Sequence, residues 1–368
     1  MKVAILSCNT GEGHNSCSAA VKEVFLNHGD SCDTVDALGF ISERASRFIC
    51  GWHTRIYRYM PGLFRWGYRY SEQHSKVFKK SSGVYKFLTA GADRLYRYLC
   101  DGEYELVICT HVFSALIMTK ILQKYSPSIK TAFVATDYTC SPSAGESRLD
   151  WYFIPDGDLE GEFVQNGIPA QRIIPSGIPV REKFYSHIDK EEAKAQLGIS
   201  AGHKHILLMC GSMGCGPIQK MVEKLSTVPQ IEASVVCGTN TRLQEQLQKE
   251  FASNGRIHIY GYVDSIPLLM DSADLYLTKP GGISVTEAMV KGLPMAFINA
   301  VAGCESYNMR FFLDRGAAVE ADTPDALVDH CTRILLDDDE RAKMADSLKR
   351  IQPANAAQTI YRKLTQAE

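Results

Sequence analysis

The 368-residue sequence predicts an α/β protein of two successive parallel-sheet domains. Three observations predict it. Short apolar runs of strand length alternate with longer helical patterns along most of the chain. Polar glycine loops follow several of these runs, at what would be the carboxyl ends of the strands. Midway, Ile173 to Val180 holds Pro175, Gly177 and Pro179, a stiff non-helical piece between two such sets. Residues 1–178 and 179–368 are therefore the expected domains, with the last helix free to pack back on the first.

The first set opens with a buried-strand run, Val3 to Ser7. A polar glycine loop, Asn9 to His14, precedes a helix from Ser16 to Leu26, and Asp33 to Val35 reads as the second strand. The segment from Arg44 to Tyr70 differs, with six arginines, eight aromatics and no acid. On a helical wheel Phe48, Trp52, Ile56 and Tyr59 share one arc, and Arg44, Arg47, Arg55 and Arg58 another. Pro61-Gly62 breaks that helix, and Phe64, Arg65 and Trp66 continue the composition. Such a helix suits an anionic lipid surface, a core-facing position with a solvated basic face, or one wall of an acceptor cleft. The α/β pattern then resumes. Val84 to Leu99 is a helix, Leu106 to Cys109 a strand ending at Thr110-His111, and Val112 to Gln123 a helix. Thr131 to Ala135 is a strand ending at Thr136-Asp137. Trp151 to Ile154 is a strand, and Leu159 to Asn166 a helix.

In the second set Ile206 to Cys210 is a strand, followed by the loop Gly211 to Gly216 and a helix starting near Pro217. Ser234 to Cys237 and Ile257 to Tyr260 are strands, and Gly261-Tyr262-Val263 leads to a short helix at Ile266 to Met270. Leu275 to Leu277 is a strand, and Ser284 to Lys291 a helix with Ser284 as N-cap. Pro294 to Ile298 is the next strand, Ala302 to Asn308 a polar loop, Met309 to Leu313 a helix, and helices close the chain.

The stretch from Thr278 to Glu287 carries the most chemistry. A strand, a glycine turn and a helix start present free backbone N–H groups and a positive dipole end, which suits an anion. Ser284 and Thr286 add hydroxyl donors. Glu287 would repel phosphate, but a carboxylate one turn in suits the paired hydroxyls of a ribose. One helix start would then hold a nucleotide by its phosphates and its ribose. In the first set, His14 sits in a loop at a strand end. An imidazole with a pKa of about 6.5 can take a proton from a hydroxyl at neutral pH. Asp137, at another strand end, would orient His14, act as the base itself, or cap a turn. His111 reads as a supporting residue, and His203 with His205 as surface.

Composition narrows the rest. A net charge of −2 gives no general field for nucleic acid. The 12 cysteines include no Cys-x-x-Cys pair, so zinc spacing is absent. Cysteines in apolar runs, and no signal peptide, suit a reducing cytosol. No apolar run reaches about 18 residues, so no spanning helix is expected. Gly11, Gly13 and Ser16 imitate a dinucleotide fingerprint with Asp33 or Asp36 downstream, but Ser16 replaces the third glycine and His14 would crowd a pyrophosphate.

With these residues in view, Gly11-Glu12-Gly13-His14 resembles the acceptor-side loop of the monogalactosyldiacylglycerol synthase and processive diacylglycerol glucosyltransferase family. Pro280 to Ala288 resembles its donor-side signature. The likeness extends to the murein-precursor N-acetylglucosaminyltransferases and covers nearly the whole chain, with the loops in family order. It implies GT-B architecture, two Rossmann-like domains facing across a cleft. It implies inverting transfer of a hexose from a UDP-sugar to a lipid hydroxyl, diacylglycerol or its glycosylated product, with no metal and no other cofactor.

By the same resemblance His14 is the base, and Gly211, Ser212, Met213 and Gly214 face the diphosphate. The backbone at Tyr262 and Val263 meets the uracil. Lys279, Gly281 and Gly282 line the donor loop, Ser284 and Thr286 meet the phosphates, and Glu287 the ribose. Glu305, Ser306 and Asn308 fall where the family contacts the donor sugar or diphosphate. Gly13, Arg47, Trp52, Arg55, Arg58 and Trp66 make up the acceptor and membrane side of a cytoplasmic enzyme held peripherally on the inner face of the cell membrane. Thr136-Asp137-Tyr138 matches a family motif, yet Thr139 to Glu146 lacks the His and Trp that usually follow it. Rival readings are a UDP-sugar epimerase or soluble-acceptor transferase, a nicotinamide-dependent oxidoreductase, and a non-catalytic lipid- or nucleotide-binding regulator.

Overall fold

The computed structural model describes residues 1–8, 12–42, 51, 60, 62, 78–211, 216–298 and 303–366. The chain divides into two compact units. One comprises Met1–Glu182, Val301–Tyr307 and Pro353–Glu368, the other Lys183–Ala300 and Asn308–Gln352.

The first unit is built on six parallel strands: β1 (Lys2–Ser7), β2 (Ser31–Asp36), β3 (Leu106–Cys109), β4 (Lys130–Val134), β5 (Trp151–Ile154) and β6 (Ile173–Pro175). Their order is β2-β1-β3-β4-β5-β6. Val3, Ala4, Ile5 and Leu6 are fully buried, as in a parallel sheet covered on both faces. Helices α1 (Glu12–Asn27), α2 (Gly83–Leu88), α3 (Ala92–Asp101), α4 (Val112–Tyr125) and α5 (Glu160–Gln165) accompany it.

Three sequence expectations change here. The first helix starts at Glu12, not Ser16, so Gly13 and His14 lie in its first turn. Glu12 at that position complements the helix dipole. The expected helix from Val84 to Leu99 is two helices broken before Gly91. A Cβ on Gly91 would lie 2.6 Å from the backbone carbon of Phe40, so the chain is pinned where only glycine fits. The piece read as non-helical linker contains β6, where Pro175 pairs with Ile154 on the sheet edge and costs no ladder donor. Just beyond, Gly177 has φ +85°, and a Cβ there would meet Pro353 Cγ at 2.4 Å. From Pro353 the chain leads into its last helix, Ala356–Thr365, which packs on α1. Tyr361 meets Phe25 edge-on at 4.9 Å and stacks on His28 at 4.0 Å.

The second unit repeats the plan: β7 (Lys204–Met209), β8 (Ile231–Val236), β9 (Ile257–Tyr260), β10 (Leu275–Thr278), β11 (Met295–Phe297) and β12 (Ala318–Glu320), all parallel, in the order β12-β11-β10-β7-β8-β9. Its helices are α6 (Lys190–Leu197), α7 (Ile218–Ser226), α8 (Thr241–Glu250), α9 (Ile266–Ser272), α10 (Gly282–Val290), α11 (Cys304–Asp314), α12 (Pro324–Leu336) and α13 (Asp338–Ile351). Leu208, Leu275 and Leu277 enter one buried cluster with Met221, Leu225, Leu327 and Ile334. Strand β12 and helices α6 and α8 were absent from the expectation. Both helices carry local start signals, since Asp189 accepts from Glu191 N and Glu192 N, and Asn240 from Leu243 N.

His205 is not a surface residue. It is fully buried, with Nε2 2.9 Å from Ser234 Oγ and Nδ1 3.0 Å from Ser272 Oγ, and burial lowers its pKa to about 4. His203 instead shares one carboxylate with His258. Its Nδ1 lies 2.7 Å from Glu232 Oε1, and His258 Nε2 lies 2.9 Å from Glu232 Oε2.

Candidate active site

In the first sheet, β1 has β2 on one side, while the chain runs through β3 to β6 on the other. Open parallel sheets bind ligands at the carboxyl ends of such a pair. Three predicted residues, His14, His111 and Asp137, meet there. His14, just after β1, places Nδ1 2.8 Å from the Thr110 carbonyl after β3 and 3.2 Å from Thr136 Oγ1 after β4. Its ring meets His111 edge-on at 4.5 Å. His111 caps α4, its Nδ1 accepting from Phe113 N at 3.0 Å. Below, Ser18 Oγ donates to the His14 carbonyl at 2.9 Å and lies 2.9 Å from Thr110 Oγ1.

This geometry selects a tautomer. A carbonyl only accepts, so Nδ1 carries the hydrogen and Nε2 keeps its lone pair. Burial pulls the His14 pKa below its ordinary value, against the opposing effects of the Asp137 carboxylate and the Thr110 carbonyl. The ring is therefore neutral at neutral pH and presents a basic nitrogen. Asp137 is the nearby charge. The Cys304 thiol also donates to Asp137, and burial beside Asp137 and Glu305 raises that thiol's pKa well above the usual range. The loop after β4, which lacks the family His and Trp, is held by Glu162 of α5. The Glu162 Oε1 accepts from Thr139 Oγ1 at 2.6 Å and Cys140 N at 2.8 Å. Thr110 and Glu162 were not singled out from sequence, and Thr136 only as part of a family motif. Position at a strand end was the only signal for Thr110, and Glu162 had none.

The second unit has the same switch between β7 and β10, and Thr278 Oγ1 donates across it to the Met209 carbonyl at 2.7 Å. Gly211, with φ +70°, and Lys279, nearly buried, follow these strands. Helix α10 begins at Gly282 with Gly281 in the cap position, so Ser284 is a first-turn residue and not the N-cap. Its hydroxyl lies 2.7 Å from Tyr276 Oη. Within α10, Ser284 and Glu287 are partly exposed, in line with Gly281, while Ile283, Val285 and Thr286 are buried. Thr286 is thereby removed as a phosphate donor, because its hydroxyl bonds the Gly282 carbonyl at 2.6 Å. Tyr262 is 68% exposed and Val263 partly so.

The expected loop from Ala302 to Asn308 is largely helix. The polar run starts α11 after Gly303, with Glu305 in the first turn, where the dipole favours an acid. Glu305 is buried and Ser306 exposed, and both group with the first unit. Asn308 groups with the second. It is fully buried, its Nδ2 donating to the Pro280 carbonyl at 3.0 Å, so it braces the turn before α10. Ser212, Met213, Gly214, Arg47, Trp52, Arg55, Arg58 and Trp66 lie outside the described residues. Among the described residues no cluster of His, Cys, Asp and Glu is arranged to hold a metal ion.

Comparison with known proteins agrees with both halves. The family model of monogalactosyldiacylglycerol (MGDG) synthase matches residues 14–180, and that of glycosyl transferases group 1 matches residues 219–350. Across both halves the chain is similar to the monogalactosyldiacylglycerol synthase and processive diacylglycerol glucosyltransferase family. A processive diacylglycerol beta-glucosyltransferase of Staphylococcus epidermidis is 27% identical over 338 residues, covering 89% of this chain and 83% of that protein. One from Bacillus subtilis is 26% identical over 366 residues, covering 98% and 93%.

Solved structures share the family's GT-B fold. MurG of Acinetobacter baumannii superposes with a TM-score of 0.65 at 14% identity, covering 100% of this chain and 99% of that one. Spinosyn rhamnosyltransferase SpnG with thymidine diphosphate does so at 0.67 and 13%, covering 100% of both. The GT-B expectation is met by two six-stranded parallel sheets.

Proposed function

We propose that this protein transfers a hexose from a UDP-sugar to the hydroxyl of a lipid, diacylglycerol or its glycosylated product, with inversion, at an anionic membrane surface. The observation that carries the reading is the start of α10, where Gly281, Ser284 and Glu287 line one open stripe beside a strand-order switch. The first N–H groups of that helix meet the charge that develops on the departing diphosphate, and Glu287 accepts from the ribose hydroxyls. Amide and hydroxyl donors supply this stabilisation, so the scheme uses no metal.

His14 Nε2 takes the proton of the acceptor hydroxyl. The acceptor oxygen bonds to the anomeric carbon as the bond to the diphosphate oxygen breaks, and UDP leaves with the electron pair. The arginine–aromatic segment around Arg47, Arg55 and Arg58 holds the enzyme peripherally on the inner face of the cell membrane. Among the described residues no helix is long and apolar enough to cross a membrane.

Purified protein given labelled UDP-glucose or UDP-galactose and mixed-lipid vesicles should label lipid. UDP binding with no labelled lipid would overturn the acceptor assignment.

A further inference from the structure

Tyr276 is the middle of a short apolar run and reads from sequence as a core strand residue. It is fully buried, with Leu275 and Leu277 turned to the opposite face of β10. A buried phenol must place its hydrogen on an acceptor. Its hydroxyl lies 2.7 Å from Ser284 Oγ on the first turn of α10, and burial holds it protonated. Thr278, the next residue on the same face, also interacts with the phenol, but it sends its own hydrogen to the Met209 carbonyl, and the short contact of the phenol is the one to Ser284.

The Ser284 hydroxyl has one hydrogen, and two internal acceptors compete for it. Serines and threonines in helices commonly turn their hydrogen back to the carbonyl four residues earlier, as Thr286 does to Gly282. For Ser284 that carbonyl is Pro280, which accepts from buried Asn308, while the Ser284 hydroxyl is bonded to Tyr276 and not to it. The second acceptor is the phenol oxygen, and that is closed if the phenol donates. What remains is the open side of the helix start, where Ser284 is partly exposed beside Gly281.

We infer that Tyr276 is a positioning residue for the donor diphosphate: it donates to Ser284 Oγ and so turns the Ser284 hydrogen toward a phosphate oxygen. This rests on the reading of α10 as the diphosphate site. No proton moves between the residues. The phenol decides only which way a hydroxyl points, and an oriented donor loses less entropy on meeting its ligand.

Calorimetric titration of the full-length protein with UDP and with uridine tests it. Tyr276→Phe keeps the ring and removes only the hydroxyl. It should weaken UDP binding about 5- to 10-fold, the effect of one neutral hydrogen bond, and leave uridine affinity unchanged. Ser284→Ala, on the partly exposed side, should do the same. The double variant should lose no more than either single one, because both act through one hydrogen.

Three results would overturn the inference. Tyr276→Phe binds UDP as the wild type does, or binds it more tightly, as expected if Ser284 donates to the phenol and is released by its removal. Or the two losses multiply. A wild-type protein that binds no UDP would instead overturn the underlying donor-site reading.

Discussion

The Thr110 carbonyl takes the Nδ1 hydrogen of His14, and burial keeps the ring neutral below the usual histidine range. The carbonyl fixes the hydrogen on Nδ1 and burial disfavours a second one, leaving Nε2 as an unprotonated base. His14→Ala should therefore keep UDP affinity and lower turnover about 10²- to 10⁴-fold, the usual contribution of one general base. Parallel titration and rate measurements check this, and loss of both together would place His14 elsewhere. The sign of the pH effect follows. The lowered pKa keeps the base competent at pH 6.5, so the acid limb of kcat/KM should fall below the ordinary imidazole value. A limb at or above about 6.5 would contradict it. The sequence showed His14 as a strand-end histidine. It did not show Thr110 as the residue that sets its tautomer, because the two are 96 positions apart and meet only through the β1–β3 pairing.

Elements were most legible where one local signal dominates. Buried runs such as Leu106 to Cys109 and the glycine turn before α10 stand out from neighbouring residues alone. Breaks imposed by distant packing do not. Gly91 sits in a helical pattern, yet the Phe40 backbone fills the space its side chain would need. Gly91→Val should lower the melting temperature by several degrees, whereas the exposed Gly83, with nothing near its Cβ position, should accept alanine with little change. The last helix is a second case. Ile360 is fully buried where that helix packs on α1, so Ile360→Ala should cost about 2–5 kcal/mol in denaturant unfolding followed by a probe in the first unit.

For the whole molecule, charge couples folding to pH and to surfaces. Glu232 is buried but accepts from Ser200 N and faces His203 and His258. Against the opposing effect of its burial, these bonds hold its pKa at about 2. A depressed carboxyl pKa stabilises the fold above the unfolded value of about 4.5 and loses that contribution as pH falls toward 2. The stability gap between wild type and Glu232→Gln should thus be full at pH 6 and shrink through pH 4 to 2. A gap independent of pH would exclude the mechanism. Net charge is only −2, so attraction to anionic lipid must come from a local patch. Changing Arg47, Arg55 and Arg58 to Glu should abolish sedimentation with anionic vesicles while leaving UDP binding intact, and unchanged sedimentation would return that segment to an internal role.

By itself, the sequence determined the α/β class, the repeated strand–glycine–helix plan and the family resemblance, because each rests on contiguous residues and on fixed spacing. It did not determine which donor a hydroxyl faces, which histidines are buried, or where a polar run becomes a helix. His205, Asn308 and Thr286 look like site or surface residues in the chain, yet in the fold they are core or bracing groups. The physical reason is that desolvation and hydrogen-bond pairing depend on what lies across a sheet or beneath a loop, and those neighbours come from distant parts of the chain.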